Sequence, residues 1–357
     1  MNDRLTNRRD FLQGKAAARA VGNLLGPTPA PQLSERRAEN FSLYFSRNAM
    51  ATEFQVIVDA EKYRQAPDAA MAALDRIEEL EDQLSIYRAH SEVSAVNREA
   101  AVGPKQIEAG LWELLSIGVR LWRETGGAFD MTSGPLTRVW GFHQRRGKWP
   151  DEIELRETLA NIGSDAIELD EDDSTIQFTR PGIEINLGAI GKGWALDRAA
   201  ECLDDAEVED FVIQGGKSSV LVRGAKHGQS CWTVGLMHPL IPQQRLGVLN
   251  LSDVAMATSG CGNQYFHHQG RRLGHILDPR TGFPSEGVLS ATILAPTATE
   301  ADALATAMYV MGVEQAEELL QQRPELGAVF VVPGPRSGSI ELIVRNLPDD
   351  CWSAAGE

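Results

Sequence analysis

Apolar positions change their period twice along the chain. Glu53-Phe54-Gln55-Val56-Ile57-Val58 carries the two-residue rhythm of a half-buried strand, within a segment spanning 41–59. From Pro67 the rhythm lengthens. Met71, Leu74, Ile77, Leu80 and Leu84 recur every three or four residues and predict an amphipathic helix. Leu111, Leu114, Leu115, Leu121 and Trp122 predict a second helix, and Gly126-Gly127 supplies its stop. Beyond about residue 166 short apolar runs dominate, at 167–169, 175–178, 183–187, 211–213, 219–222, 232–236, 246–249 and 289–294. Helices are predicted between them at about 192–204 and 299–321. The short runs have hairpin-length gaps and no strand–GxGxxG–helix unit, so the expected fold class is α+β, with mainly antiparallel sheets and packed helices.

Composition narrows the function classes. At 357 residues, with 43% hydrophobic and 24% charged residues, the chain can bury a substantial core and reads as globular. Its 34 Lys and Arg against 50 Asp and Glu give a formal charge of −16, the wrong sign for general affinity to nucleic acid or anionic membranes. An anionic ligand must therefore be held locally, by a metal ion, a glycine-rich backbone cradle or a placed lysine. Cys202, Cys231, Cys261 and Cys351 lie far apart with no CxxC, which excludes a zinc knuckle and a thioredoxin-like motif. No apolar run approaches the roughly 20 residues of a membrane span, so a soluble body is expected.

The first residues are read separately. Thr6-Asn7-Arg8-Arg9-Asp10-Phe11-Leu12 sets an arginine pair before an apolar pair, the pattern of a twin-arginine export signal. Residues 1–38 are accordingly expected to be leader and linker, and 39–350 a single catalytic domain. Export would place the protein in the periplasm or, with the leader retained as a tether, on the outer face of the membrane.

Several segments carry candidate chemistry. Asn186-Leu187-Gly188-Ala189-Ile190-Gly191-Lys192-Gly193 runs from a predicted strand into a helix beginning near Trp194. Glycines admit close backbone approach to phosphate and Lys192 adds a full positive charge, although an ordinary strand-to-helix turn reads the same way. In Thr299-Glu300-Ala301-Asp302-Ala303-Leu304-Ala305-Thr306, Asp302 and Thr306 fall on one helical face and suit a hard, oxygen-seeking cation such as magnesium. Thr299 as N-cap with Asp302 three residues on is the competing expectation. His275-Ile276-Leu277-Asp278-Pro279-Arg280-Thr281-Gly282 enters a Pro/Gly turn with an imidazole and a carboxylate close together, while His267-His268 read as surface loop. Tyr87, the Ala128-Phe129-Asp130 segment, Trp122, Trp140 and Phe142 read, unaided, as core. The acidic run 170–173 reads as a solvated turn.

In chain order these segments resemble the ApbE family, the FAD:protein FMN transferases, from about Met50 to about Leu320. Met50-Ala51-Thr52 is similar to the family's Met-Gly-Thr. Leu84-Ser85-Ile86-Tyr87 with Ser91-Glu92-Val93-Ser94-Ala95-Val96-Asn97 follows, then Ala128-Phe129-Asp130, Trp140-Gly141-Phe142, GAIGKG at 188–193, Asp197, Gly215-Gly216, Thr258-Ser259-Gly260, HILDPRTG at 275–282 and ADALATA at 301–307. The resemblance implies a T-fold-like architecture with Mg2+ as cofactor and FAD as substrate. It implies magnesium ligands at the Ala189 carbonyl, Asp302 and Thr306, with the Thr299 carbonyl a further contributor. It also implies an FAD site lined by Met50, Tyr87, Ala128, Phe129, Asp130, Asn186, Lys192, His275 and Ile276. Two positions depart from the family pattern. Asn186 stands where an aspartate is usual, and Cys261-Gly262-Asn263 follows Gly260 where an acidic residue and a tyrosine are common.

The implied reaction joins FMN to a threonine or serine hydroxyl of an acceptor flavoprotein and releases AMP, with His275 or Asp278 as the base. A magnesium-dependent FAD pyrophosphatase, with water in place of the acceptor, and a flavin-binding relative without transfer are the alternatives. No nucleic-acid partner is expected.

Overall fold

The alternating segment near residue 53 folds back on the strand before it. In the computed structural model, which describes residues 42–354 apart from 263, 337 and 349, β1 (Ser42–Ala49) and β2 (Thr52–Asp59) pair antiparallel. Their tight turn holds both Met50 and Ala51 at positive φ, +49° and +58°, the hairpin geometry that matches strand twist. The arginine pair Arg8-Arg9, and with it the expected leader, lies outside the described residues.

The helical period from Pro67 becomes α1 (Ala66–Leu84), which buries Leu74, Ile77, Leu80 and Leu84 and leaves Met71 exposed. The loop Ser85–His90 then leads to α2 (Glu92–Glu99), where the Ser91 hydroxyl accepts from the Ser94 N–H as N-cap. After the short β3 (Lys105–Gln106) comes α3 (Ala109–Glu124), which stops at Gly126-Gly127 as the sequence predicts, both glycines at positive φ. Two short helices, α4 (Gly134–Val139) and α5 (Glu152–Leu159), precede β4 (Ile167–Asp170) and β5 (Thr175–Phe178), whose exposed turn holds the acidic run.

The expected strand at 183–187 does not form. Its backbone is held instead by the Asn97 side chain, which bonds both the N–H and the carbonyl of Ile185 at 2.8 and 2.9 Å, and by the Met131 carbonyl, which accepts from Asn186 N–H at 2.7 Å. A side chain thus takes the role of a neighbouring strand.

The following helix, α6 (Gly191–Asp205), starts at Gly191, earlier than predicted. Strands β6 (Phe211–Gly215), β7 (Ser219–Arg223), β8 (Trp232–Met237), β9 (Arg245–Leu251), β10 (Val254–Gly260), β11 (Tyr265–His268), β12 (Arg271–Gly274) and β13 (Ser290–Ala295) follow. His267 and His268 therefore sit on a strand and not in a loop. The long α7 (Ala298–Gln322) is interrupted at Gly312, where φ is +76°. β14 (Gly327–Pro333), β15 (Ile340–Arg345) and β16 (Trp352–Ala354) complete the chain.

Eight strands form the central sheet in the order β1-β2-β6-β7-β10-β13-β14-β15, and every pairing is antiparallel. Phe54, Val56, Phe211, Ile213, Ala257, Ile293 and Phe330 pack into one core with α1, α6 and α7. Val212, Val220, Val222 and Met256 pack into a second core with Trp232, Leu249 and Leu251 of the small β16-β9-β8 sheet. Because its middle strands are buried on both faces, they read in sequence as continuous apolar runs rather than alternations. The expected α+β class with antiparallel sheets is the class observed.

Candidate active site

Two helix starts meet against the middle strands β7 and β10 of the central sheet. A Cβ on Gly193, in the first turn of α6, would lie 2.0 Å from the Ala298 carbonyl oxygen at the start of α7, so only glycine permits the approach. Asp197, on the same α6, fastens the two together. Its carboxylate accepts from the N–H groups of Ala298 and Thr299, both at 2.8 Å, and from the Thr299 hydroxyl. Burial pushes the Asp197 carboxyl above the ordinary carboxylate range, against the pull of these hydrogen bonds.

The α7 cap differs from expectation. The N-cap is Thr297, whose hydroxyl accepts from Glu300 N–H at 3.2 Å, two residues before the predicted Thr299. The Thr299 N–H and hydroxyl are instead bonded to Asp197, Thr299 lines neither of the two cavities described below, and Asp302 takes no part in capping α7. The Asp302 carboxylate is 5% exposed and faces the neighbouring helix and sheet. It accepts from Lys192 Nζ at 3.0 Å to each oxygen, from Gly193 N–H at 3.2 Å and from the Ser219 hydroxyl at 2.9 Å. One turn along α7 the Thr306 hydroxyl lies 3.0 Å from that of Ser259 on β10.

Two adjoining cavities open over this cluster. One, of about 220 Å³, has mostly apolar walls from Met50, Leu84, Ile86 and Tyr87. The other, of about 370 Å³, is lined by Phe129, Asp130, Ala189, His275, Ile276, Asp302 and Thr306 among others. Asn186, Gly188 and Lys192 belong to both walls. Tyr87 is 85% exposed, so it is no core residue. Phe129, Trp140 and Phe142 are buried as the sequence predicts.

Each remaining candidate has a defined place. Asp130 accepts from the Thr132 N–H and hydroxyl at 2.8 and 2.7 Å and from the Ser164 hydroxyl at 2.7 Å, so it ties two loops together beneath the cavity. Ala128 is buried and off the cavity wall. The Asn186 amide oxygen accepts from Gly188 N–H at 2.9 Å, shaping the glycine turn without a charge.

His275 and Asp278 part company. Asp278 is held by Arg280, whose Nε and Nη2 both lie at 2.9 Å, and it does not line the cavity. His275 does line it. The His275 Nδ1 sits 3.2 Å from the Gln264 carbonyl, which can only accept, so Nδ1 carries the proton and Nε2 keeps its lone pair. Burial lowers the His275 pKa below its ordinary value.

Among the described residues no group of three or more His, Cys, Asp or Glu side chains gathers for a metal. The oxygen set available here is one carboxylate, one hydroxyl and one carbonyl. Such a set suits magnesium, which binds few protein ligands and completes its shell with water and phosphate oxygens. Ser219 was not legible as a site-building residue, because a serine opening a strand carries no sequence signal of its own; Asn97 was legible only as the end of the Ser91–Asn97 segment of the resemblance, with nothing in the sequence to say that it holds Ile185.

A sequence model of the ApbE family matches residues 50–330. The chain belongs to the ApbE family. An FAD:protein FMN transferase of Klebsiella pneumoniae (strain 342) is 33% identical over 270 residues, which cover 74% of this chain and 83% of that protein. One from Haemophilus influenzae is 32% identical over 254 residues, covering 69% and 73%. Among solved structures, the ApbE protein of Thermotoga maritima superimposes with a TM-score of 0.75 at 29% identity, over 84% of this chain and 96% of that one. The flavin transferase ApbE of Vibrio cholerae has a TM-score of 0.75 at 25% identity, over 85% and 97%. The ApbE match begins at Met50, on the turn that walls the apolar cavity, and runs past Thr306 into β14.

Proposed function

We infer that this ApbE-family chain is an FAD:protein FMN transferase, which moves FMN from FAD to a threonine or serine hydroxyl of an acceptor flavoprotein and releases AMP. One observation carries the reading beyond family membership. A buried carboxylate and an ammonium group, Asp302 and Lys192, sit at the junction of an apolar and a polar cavity. FAD is a molecule of matching form, with flat rings joined through a charged pyrophosphate. The apolar wall of Met50, Ile86 and Tyr87 offers contact to one ring system. Lys192 and the glycine turn at 188–193 supply positive charge and close backbone for the pyrophosphate.

Asp302, Thr306 and the Ala189 carbonyl are the residues that would hold magnesium. When bound, the ion would neutralise pyrophosphate charge, the main requirement of phosphoryl transfer. His275 takes the proton of the acceptor hydroxyl on Nε2. The freed oxygen attacks the FMN-side phosphorus, the bond to the bridging oxygen breaks, and AMP leaves with that oxygen. Asp278, paired with Arg280, holds the turn that follows His275. The acceptor is proposed to be exported, in keeping with the twin-arginine pattern at Arg8-Arg9.

Counting AMP against modified acceptor tests the reading. One AMP released per acceptor, with none when the acceptor threonine is replaced by alanine, is the expected result. Equal AMP release without any acceptor would make the chain an FAD pyrophosphatase.

A further inference from the structure

Beside the polar cavity the surface turns basic and aromatic. Residues 131–150 contain Arg138, Arg145, Arg146 and Lys148 and no acidic residue, in a chain whose formal charge is −16. The loop from Gly141 to Trp149 is seated on the β11–β12 hairpin: a Cβ on Gly147 would fall 2.4 Å from the Phe266 ring, and Trp149 stacks on His268 at 4.5 Å. The hairpin adds the exposed Arg271 and Arg272, the latter 3.8 Å over the Tyr265 ring. The Phe142 ring in turn packs edge-on to His275, with centroids 6.3 Å apart, which joins this rim to the cavity wall.

The charges are not all neutralised. Arg138 is neutralised by Glu184 through two bonds of 2.6 Å, Arg271 pairs with Glu286, and Lys148 lies 3.7 Å from Glu154. Arg145 and Arg146 are exposed and have no ion-pair partner among the described residues. Arg145 is held at φ +54° by the turn that closes on Gly141.

We propose that this rim, built from the 141–149 loop and the β11–β12 hairpin, docks an acidic segment of the acceptor protein that carries the modified hydroxyl. The proposal rests on the transferase reading and names the chemistry of its protein substrate. A chain of net negative charge repels an acidic segment over most of its surface, so a local basic rim selects where that segment lands and in which register. Exposed aromatics such as Trp149 and Tyr265 give it apolar contact once landed.

The test uses the full chain and two fluorescently labelled synthetic peptides. They share a central threonine and differ only in flanking aspartates or flanking lysines. Binding is read by anisotropy at low and high salt, for wild type and for Arg145→Glu, Arg146→Glu and Arg64→Glu. Arg64 is exposed and follows Tyr63, whose hydroxyl bonds Asp210 just before β6 begins, at the opposite end of that strand from Gly215. The expected result is tighter binding of the aspartate peptide, weakened about fivefold by either rim variant and by salt, but not by Arg64→Glu. Equal binding of the two peptides, preference for the lysine peptide, no detectable binding, or equal loss in all three variants would overturn the proposal. FAD binding, measured in parallel by flavin fluorescence, is expected to be unchanged in the rim variants. Its absence in wild type would count against the transferase reading and leave the peptide result to stand by itself.

Discussion

Asp302 is the residue on which most of the site converges. Four hydrogen bonds from Lys192, Gly193 and Ser219 hold a nearly buried carboxylate in place, and replacing it leaves the Lys192 ammonium without its partner. Asp302→Ala is expected to lose FMN transfer and to destabilise the fold by about 1–3 kcal/mol, read by thermal melting beside a transfer assay. Transfer at the wild-type rate would remove Asp302 from the proposed magnesium site. For His275, a pKa lowered by burial keeps the imidazole neutral, and thus basic, down to a pH below its ordinary 6.5. Transfer should therefore stay flat from neutrality down to below 6.5 and fall only at more acid pH, while His275→Ala should cost roughly a hundredfold or more. The same shift has a stability consequence. The unfolded chain binds a proton at this residue that the folded chain resists, so the contribution is present above 6.5 and is lost as pH falls through the lowered folded value. A pH–rate profile that falls already above 6.5 would contradict the assignment.

At the scale of elements, the site depends on how closely α6 and α7 begin to one another. Gly193→Ala would drive a methyl group into the Ala298 carbonyl, with backbone and not a flexible side chain in the way. A loss of about 1–3 kcal/mol and a visible drop in melting temperature are expected, with magnesium-dependent activity falling further because Asp302 and Lys192 shift apart. An unchanged melting temperature would show that the helices can separate freely. Elements with a strong period were legible from sequence. The helices at 66–84, 109–124, 191–205 and 298–322 emerged within a few residues of expectation, as did most strands after 166. The segment 183–187 did not, because its apolar alternation answers to core burial while its hydrogen bonds go to Asn97 and Met131. The short α2, α4 and α5 gave too few turns for a period to register, β10 ends in small polar residues and a glycine, and the four-residue β11 and β12 carry histidines and arginines in place of an apolar run. Thr299 misled as a cap because Thr297 and Thr299 both precede acidic residues by three positions, and only the tertiary bond to Asp197 separates their roles.

For the whole molecule, order along the chain and position in the fold serve one site. Residues near 50, 87, 130, 190, 275 and 302 come from separate elements, yet all but the buried Ala128 and the Asp197-bound Thr299 among the predicted ligand-site residues line the paired cavities. Those positions were legible through family order far more than through local chemistry, which by itself left Tyr87 and Asp302 to packing and capping. The overall negative charge and the locally placed Lys192 agree with an anionic substrate held by a few groups rather than by a field. The most direct measurement is the intact mass of a threonine-bearing flavoprotein domain after incubation with this chain, FAD and magnesium, run beside a sample containing a chelator. A gain of one FMN less one water, absent with chelator, is predicted, and an unchanged acceptor mass alongside intact, tightly bound FAD would contradict the account.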